Sequence, residues 1–306
     1  MGEKWMKWTL LEASTKTLSK LLQKIIGKAS AILPHAFLAI WIVGLVQTIA
    51  GFMMAKARKK KLLTDRASII GSCWFGFNAT ACTVICFIVF MLKGDIGVNT
   101  LIITLSIIPG ALIDRFFFGH HLNRREWFGV LIAILAGYSV LGWPSLSSFL
   151  TLPLWIVLSF IVMILVAINQ GITQKIRKID PFVKNFWGGF TTFLLALIAL
   201  IVMKSQALIF NFSLSTQKLW WSSALIGLII VGMWSFNLMS YKGGAHIAIK
   251  KLVMNGTYLI TAMLLGIVLF NESLSLAKAS GVILYLLAFI LMDKGVWNSR
   301  WKKLTK

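Results

Sequence analysis

The feature that most constrains this chain is a succession of long apolar runs, each closed by charge or proline. Nine of them read as helices, at about 32–55, 67–92, 96–118, 126–143, 152–174, 182–203, 219–241, 244–270 and 276–295. A helix that crosses a bilayer needs about 20 predominantly apolar residues, and most of these runs reach that length. Soluble domains carry about 25% charged residues, whereas this chain carries 13% against 58% hydrophobic. Such a composition excludes a soluble globular enzyme, a disordered chain and a secreted disulfide scaffold. Ten spans would take about 200 residues, which leaves short connections, two tails and no room for a separate soluble domain.

Prolines and tryptophans punctuate the runs. Pro34, Pro144, Pro153 and Pro181 sit at span ends, where a missing N–H costs nothing. Pro109 alone falls inside a span, beside Gly110, and predicts a kink there. Trp127 and Trp143 bracket one span, and Trp220, Trp221, Trp297 and Trp301 lie near other ends, as an interfacial belt requires.

Residues 5–26 form a tenth segment of a different kind. Trp5, Trp8, Leu10, Leu11, Leu18, Leu21, Leu22, Ile25 and Ile26 are apolar, while Glu12, Lys16, Lys20 and Lys24 recur every fourth residue as one polar stripe. Those charges also interrupt the apolar core that a cleavable signal peptide would need. The helix either lies on the membrane surface or spans with its stripe toward a polar cavity. Counting Lys and Arg in the connections decides for the span. Ten crossings with both ends cytoplasmic place 20 basic residues inside, Lys184 among them, and 6 outside, Lys24 among them. Nine crossings would put the lysine-rich head outside. The expected location is therefore the cell membrane, multi-pass. The net charge of +22 is read in the same way, as basic loops facing anionic lipid rather than nucleic acid. Cys73, Cys82 and Cys86 share one apolar segment without metal-ligand spacing, and read as buried reduced thiols.

The chain also resembles itself. Phe116–Leu141 (FFFGHHLNRREWFGVLIAILAGYSVL) parallels Val268–Ala288 (VLFNESLSLAKASGVILYLLA), and Ala13–Leu18 parallels Ala167–Ile172. Two five-span halves, 1–150 and 151–306, follow. An odd number of spans per half inverts the second half relative to the first, an architecture of transporters with the substrate site near the midplane. The expected fold is thus an all-α integral membrane protein of ten helices in two inverted repeats.

Leu269–Phe270–Asn271–Glu272–Ser273–Leu274, followed by Lys278 and Gly281, resembles the signature that ends each half in the EamA-like branch of the drug/metabolite transporter superfamily. The first half departs from it, with His120 and His121 after Gly119 where the family usually has a glutamate. Leu11–Lys20 is similar to the first helix of the small multidrug resistance proteins of the same superfamily, with Glu12, Thr17, Leu18 and Lys20 on the motif positions. Lys16 is a departure, since those drug-cation exporters lack it. The resemblance implies ten helices, cytoplasmic ends and secondary transport of small metabolites or drugs. Carried over, it makes Glu12 the coupling residue, where protons and substrate compete.

The polar residues inside spans are the remaining candidates. An intramembrane carboxylate costs about 2.5–3.5 kcal/mol to insert, and Glu12 and Lys16, at i and i+4, are placed to share that cost as a pair. Asn169 and Gln170 take the positions in the second half that Thr15 and Lys16 take in the first. Lys250 and Lys251 lie about two turns into their span, where one snorkels and the other turns to the cavity, with Asn255 and Tyr258 extending its polar face. Trp41, Trp74, Trp187 and Trp234 are candidate aromatic walls for an organic cation. The expected substrate site is Glu12, Lys16, Asn169, Gln170, Trp234, Lys251, Asn255 and Tyr258, with Asp114, Arg115 and Lys250 at a gate or inner mouth.

No phosphate-binding loop, HExxH metal set or Gly-x-Ser-x-Gly elbow occurs. No cofactor, metal or enzymatic activity is expected. The reading is a secondary transporter of a small metabolite or organic ion, working by alternating access with proton coupling or exchange, and with export favoured. Its partners are a small-molecule substrate, membrane lipids and the proton as candidate coupling ion, in a monomer or homodimer. The alternative is a non-transporting scaffold, a lipid flippase or a lipid-modifying membrane protein. A scaffold predicts scattered charges and no polar cavity.

Overall fold

A computed structural model describes residues 3–29, 33–119, 123–141, 143, 152–203 and 214–292. His120, His121, Pro144, Lys204, Trp297, Trp301 and the basic tail from Lys294 lie outside the described residues. Within them the chain is helical: α1 (Glu3–Ala29), α2 (Leu33–Ala57), α3 (Arg66–Met91), α4 (Ile96–Thr104), α5 (Ile107–Phe118), α6 (Arg124–Val140), α7 (Leu154–Lys175), α8 (Pro181–Val202), α9 (Leu214–Lys242), α10 (Ile247–Phe270) and α11 (Leu276–Met292). Among the described residues seven spans are long and apolar enough to cross a membrane, counting α4 and α5 together as one. The helices α6 and α11, of 17 residues each, are shorter, and α1 carries the charged stripe.

Helix starts follow from side-chain caps. The carboxylates of Asp65, Asp95 and Asp180 accept the backbone N–H groups of Ser68, Val98 and Phe182 at 2.9, 2.9 and 2.8 Å, opening α3, α4 and α8. At Asp65 the Ser68 N–H holds the carboxyl below its ordinary pKa, because it bonds the charged form. Asn271, in the left-handed conformation at φ 54°, ends α10.

The expected kink at Pro109 is a break, and it lies four residues earlier. Proline at position i removes the N–H that would bond the carbonyl of i−4, here Leu105. The chain tightens instead: Ser106 donates to the Ile103 carbonyl at 3.0 Å and Ile108 to the Leu105 carbonyl at 2.9 Å. Helix α4 stops at Thr104 and α5 begins at Ile107.

Packing runs mainly between helices that precede residue 150 and helices that follow it. The most extensive contacts join α2 to α8, α1 to α9, α6 to α11 and α3 to α7, followed by α3 with α8, α2 with α9 and α1 with α10. Small residues let the closest pair meet: a Cβ on Gly44 or Gly51 of α2 would lie 2.5 or 2.6 Å from the backbone nitrogens of Phe193 or Phe186 of α8. Buried polar pairs add to these contacts, with Gln47 donating to Asn185 and Thr80 to Thr192, both at 3.0 Å.

Candidate functional site

The polar stripe of α1 faces inward. Glu12, Lys16, Ser19, Lys20 and Gln23 line a cavity of about 140 Å³. Phe75, Ala79, Cys82, Thr83 and Cys86 of α3 line it too, with Val162, Val166, Asn169 and Gln170 of α7. Ile230, Met233, Trp234 and Asn237 of α9, Ile103 of α4 and Tyr258 of α10 complete the wall. Thus six of the eight residues expected at a substrate site share one cavity: Glu12, Lys16, Asn169, Gln170, Trp234 and Tyr258.

Glu12 is 3% exposed, and its partner differs from the expected one. The ion pair is with Lys250 of α10 at 2.8 Å, and Asn237 donates to the other carboxylate oxygen at 2.7 Å. Lys16 instead lies 4.3 Å from the centre of the Tyr258 ring. The Gln170 side-chain oxygen collects three donors at this floor: Tyr241 Oη at 2.6 Å, Asn237 Nδ2 at 3.0 Å and Lys250 Nζ at 3.1 Å. Lys250 also sits 4.3 Å from the Tyr241 ring centre. A buried charge is tolerated when it is paired and hydrogen-bonded, and these four helices, α1, α7, α9 and α10, supply both conditions.

Neither Lys250 nor Lys251 snorkels; both are fully buried. Lys251 donates to the Ser106 carbonyl at 2.9 Å and Asn255 to the Thr104 carbonyl at 2.9 Å, both at the α4–α5 break. The carbonyls at the break, of which Ser106 also accepts the Gly110 N–H at 3.0 Å, thus replace the interface as the destination for these side chains. Lys251 and Asn255 therefore brace the broken helix and do not line the cavity. Asp114 is buried within electrostatic reach of Lys251, whereas its neighbour Arg115 is exposed.

The other end of the stripe is closed by a second cluster. Lys24 pairs with Glu272, whose carboxylate also accepts the backbone N–H of Ile96 at 2.8 Å and of Gly97 at 3.3 Å, at the start of α4. Lys278 pairs with the capping Asp95 at 2.5 Å. Glu272, noticed in the sequence only as part of a family signature, is thus an anion seated on a helix N-terminus. Lys24, counted with an outer connection, makes this ion pair.

Three further residues escaped sequence reasoning. Asn237 and Tyr241 lie one turn apart on α9, a helical spacing that was the available signal. Lys184, counted among basic connections, is fully buried in the first turn of α8, donating to Thr173 at 3.0 Å beneath the Phe75 ring. Its position just after Asp180–Pro181, a helix start, was the available clue. Of the proposed tryptophan walls, only Trp234 lines the cavity, edge-on to Phe75 at 4.5 Å. Trp41 packs on Phe193 and Trp220, Trp74 is exposed, and Trp187 donates to the Leu62 carbonyl. Among the described residues no group of three His, Cys, Asp or Glu side chains is arranged to hold a metal.

No protein-family model matches the chain, and no curated protein matches it. Among solved structures, one titled only as the crystal structure of a protein superposes with a TM-score of 0.66 at 13% sequence identity. It covers 94% of this chain and 97% of that one. The likeness is one of fold.

Proposed function

We propose that the chain is a secondary transporter of the drug/metabolite type, carrying a small metabolite or organic ion by alternating access. In this reading ten crossings form two inverted halves, 1–150 and 151–306, in the cell membrane with both ends cytoplasmic. The broken span α4–α5 counts as one crossing, and α1, α6 and α11 join the seven apolar spans. The packing pattern supports the division. Matching helices in order pairs α1 with α7, α2 with α8, α3 with α9, α4–α5 with α10 and α6 with α11. Exchange of halves then turns the α1–α9 contact into α7–α3 and the α3–α8 contact into α9–α2, each of which occurs.

The observation that carries the proposal is Glu12: a buried carboxylate of the first half, paired with Lys250 of the second, at the floor of a cavity that both halves line. A scaffold has no use for such a cavity. Protonation of Glu12, or the arrival of a substrate group that takes over one of its contacts, weakens the pair joining the halves. The empty charged pair holds them together. The resulting cycle is proton coupling or exchange, with export favoured.

Counterflow of labelled metabolites in proteoliposomes tests this. Wild-type protein is expected to accumulate substrate with a pH dependence that Glu12→Gln removes, with the rate falling at least about tenfold, the effect of about 1.4 kcal/mol. Transport and pH dependence that persist unchanged in Glu12→Gln refute the coupling role.

A further inference from the structure

The cavity is lined by two lysines, Lys16 and Lys20, that make no ion pair among the described residues. Among the described residues the one carboxylate lining it is Glu12, and Glu12 is engaged by Lys250. Lys16 has the Tyr258 ring, and Lys20 has the Cys86 sulfur at 3.0 Å and the Phe90 ring at 5.0 Å. Neither makes an ion pair among the described residues. Buried charge without a counter-charge is costly, and at i and i+4 the two ammonium groups share one face of α1.

A second observation points the same way. Asn237 is 4% exposed and lines the cavity, and its Oδ1 has no hydrogen-bond partner. The orientation of this amide is fixed by chemistry: an ionised Glu12 only accepts, so the Asn237 NH₂ must face it and the oxygen must be left over. Asn169, 8% exposed, also lines the cavity with an unpartnered Oδ1. Unmet buried acceptors call for donors on whatever occupies the space.

We infer that the cavity binds a small organic anion that also carries hydroxyl or amino donors. Its carboxylate or phosphate sits between Lys16 and Lys20, its donors meet Asn237 and Asn169, and its carbon skeleton lies against Trp234. This rests on reading the cavity as the substrate site, and it names the substrate class: anions with donors, in preference to the organic cations that Glu12 alone would suggest.

Thermal unfolding of the purified full-length protein in detergent tests it with L-malate, L-aspartate, glycerol 3-phosphate, acetate, glycerol and choline as probes. Ligands that bind the native state raise its midpoint. At least one of L-malate, L-aspartate and glycerol 3-phosphate is expected to do so more than acetate, while glycerol and choline do not. Lys20→Met is expected to weaken that binding at least about tenfold, and Lys20→Arg to retain it. A midpoint moved by none of the anions, or moved by choline instead, overturns the inference, as does undiminished anion binding in Lys20→Met. If Lys20→Met fails to fold, Lys16→Met against Lys16→Arg reads the same question. Counterflow separates this result from the carrier reading. Anion binding without counterflow defeats transport alone, and counterflow confined to cations defeats the anion site alone.

Discussion

Helix α1 makes two ion pairs of opposite sense, and their surroundings differ. Near one end it offers a carboxylate, Glu12, to Lys250; twelve residues on, about 18 Å along the axis, it offers an ammonium, Lys24, to Glu272. Glu272 is also gripped by two backbone N–H groups at the start of α4. Those donors and the helix dipole stay in place whatever the lysine does. Glu12 has only side chains for company: Asn237, Lys250 and, through them, Gln170. A carboxylate held by backbone is part of the frame. One held by amides and an amine beside a cavity is open to competition.

That contrast sets the order of expected effects. Lys250→Met strands Glu12 as an unpaired buried charge, and should cost about 3–5 kcal/mol of unfolding free energy. Adding Glu12→Gln should restore most of it. A double variant as unstable as Lys250→Met alone would show that the two residues do not act as a unit. Glu272→Gln keeps an oxygen for the Ile96 N–H and loses the ion pair, so a smaller loss of about 1–3 kcal/mol is expected. A loss equal to that of Lys250→Met would erase the distinction between the ends. Lys278→Ala, at a pair with 12% and 23% side-chain exposure, should cost less than about 1 kcal/mol by the same denaturant titration.

The smallest effect is expected outside both clusters, at Asp65. Its carboxyl pKa is depressed in the folded protein by the Ser68 N–H. The stabilisation it gives is present above the unfolded-state pKa and is lost as pH falls through the folded one. Wild type and Asp65→Asn should therefore differ slightly in melting midpoint near neutrality and converge below about pH 4. A gap that widens in acid would reverse the sign of the argument.

Where the sequence was legible, periodicity carried it. A charge every fourth residue from Glu12 to Lys24 placed one stripe on one face, and that face lines the cavity. Partners were harder to read. Spacing offered Lys16 to Glu12, but helical neighbours compete with every side chain that another helix brings, and Lys250 arrives together with three supporting dipoles. Snorkelling was a sound expectation for one of Lys250 and Lys251 in an uninterrupted bundle. It fails because a backbone carbonyl beside the broken span and a buried carboxylate accept these two ammonium groups in the interior. Loop counting took Lys184 with the basic connection before it, although the apolar run at 182–203 already contained it. The amide of Asn237 was overlooked although Tyr241 follows it at i+4, the helical spacing that marks a shared face.

The interruption between Thr104 and Ile107 has a mechanical consequence. The carbonyl oxygens of Ser106 and Thr104 that flank it are fastened by Lys251 and Asn255, which stand one helical turn apart on α10. The joint is therefore bolted from outside its own span: α4 and α5 can swivel against each other only if α10 travels with them or lets go. Because α10 also carries Lys250, any bending at that joint is geared to the grip on Glu12.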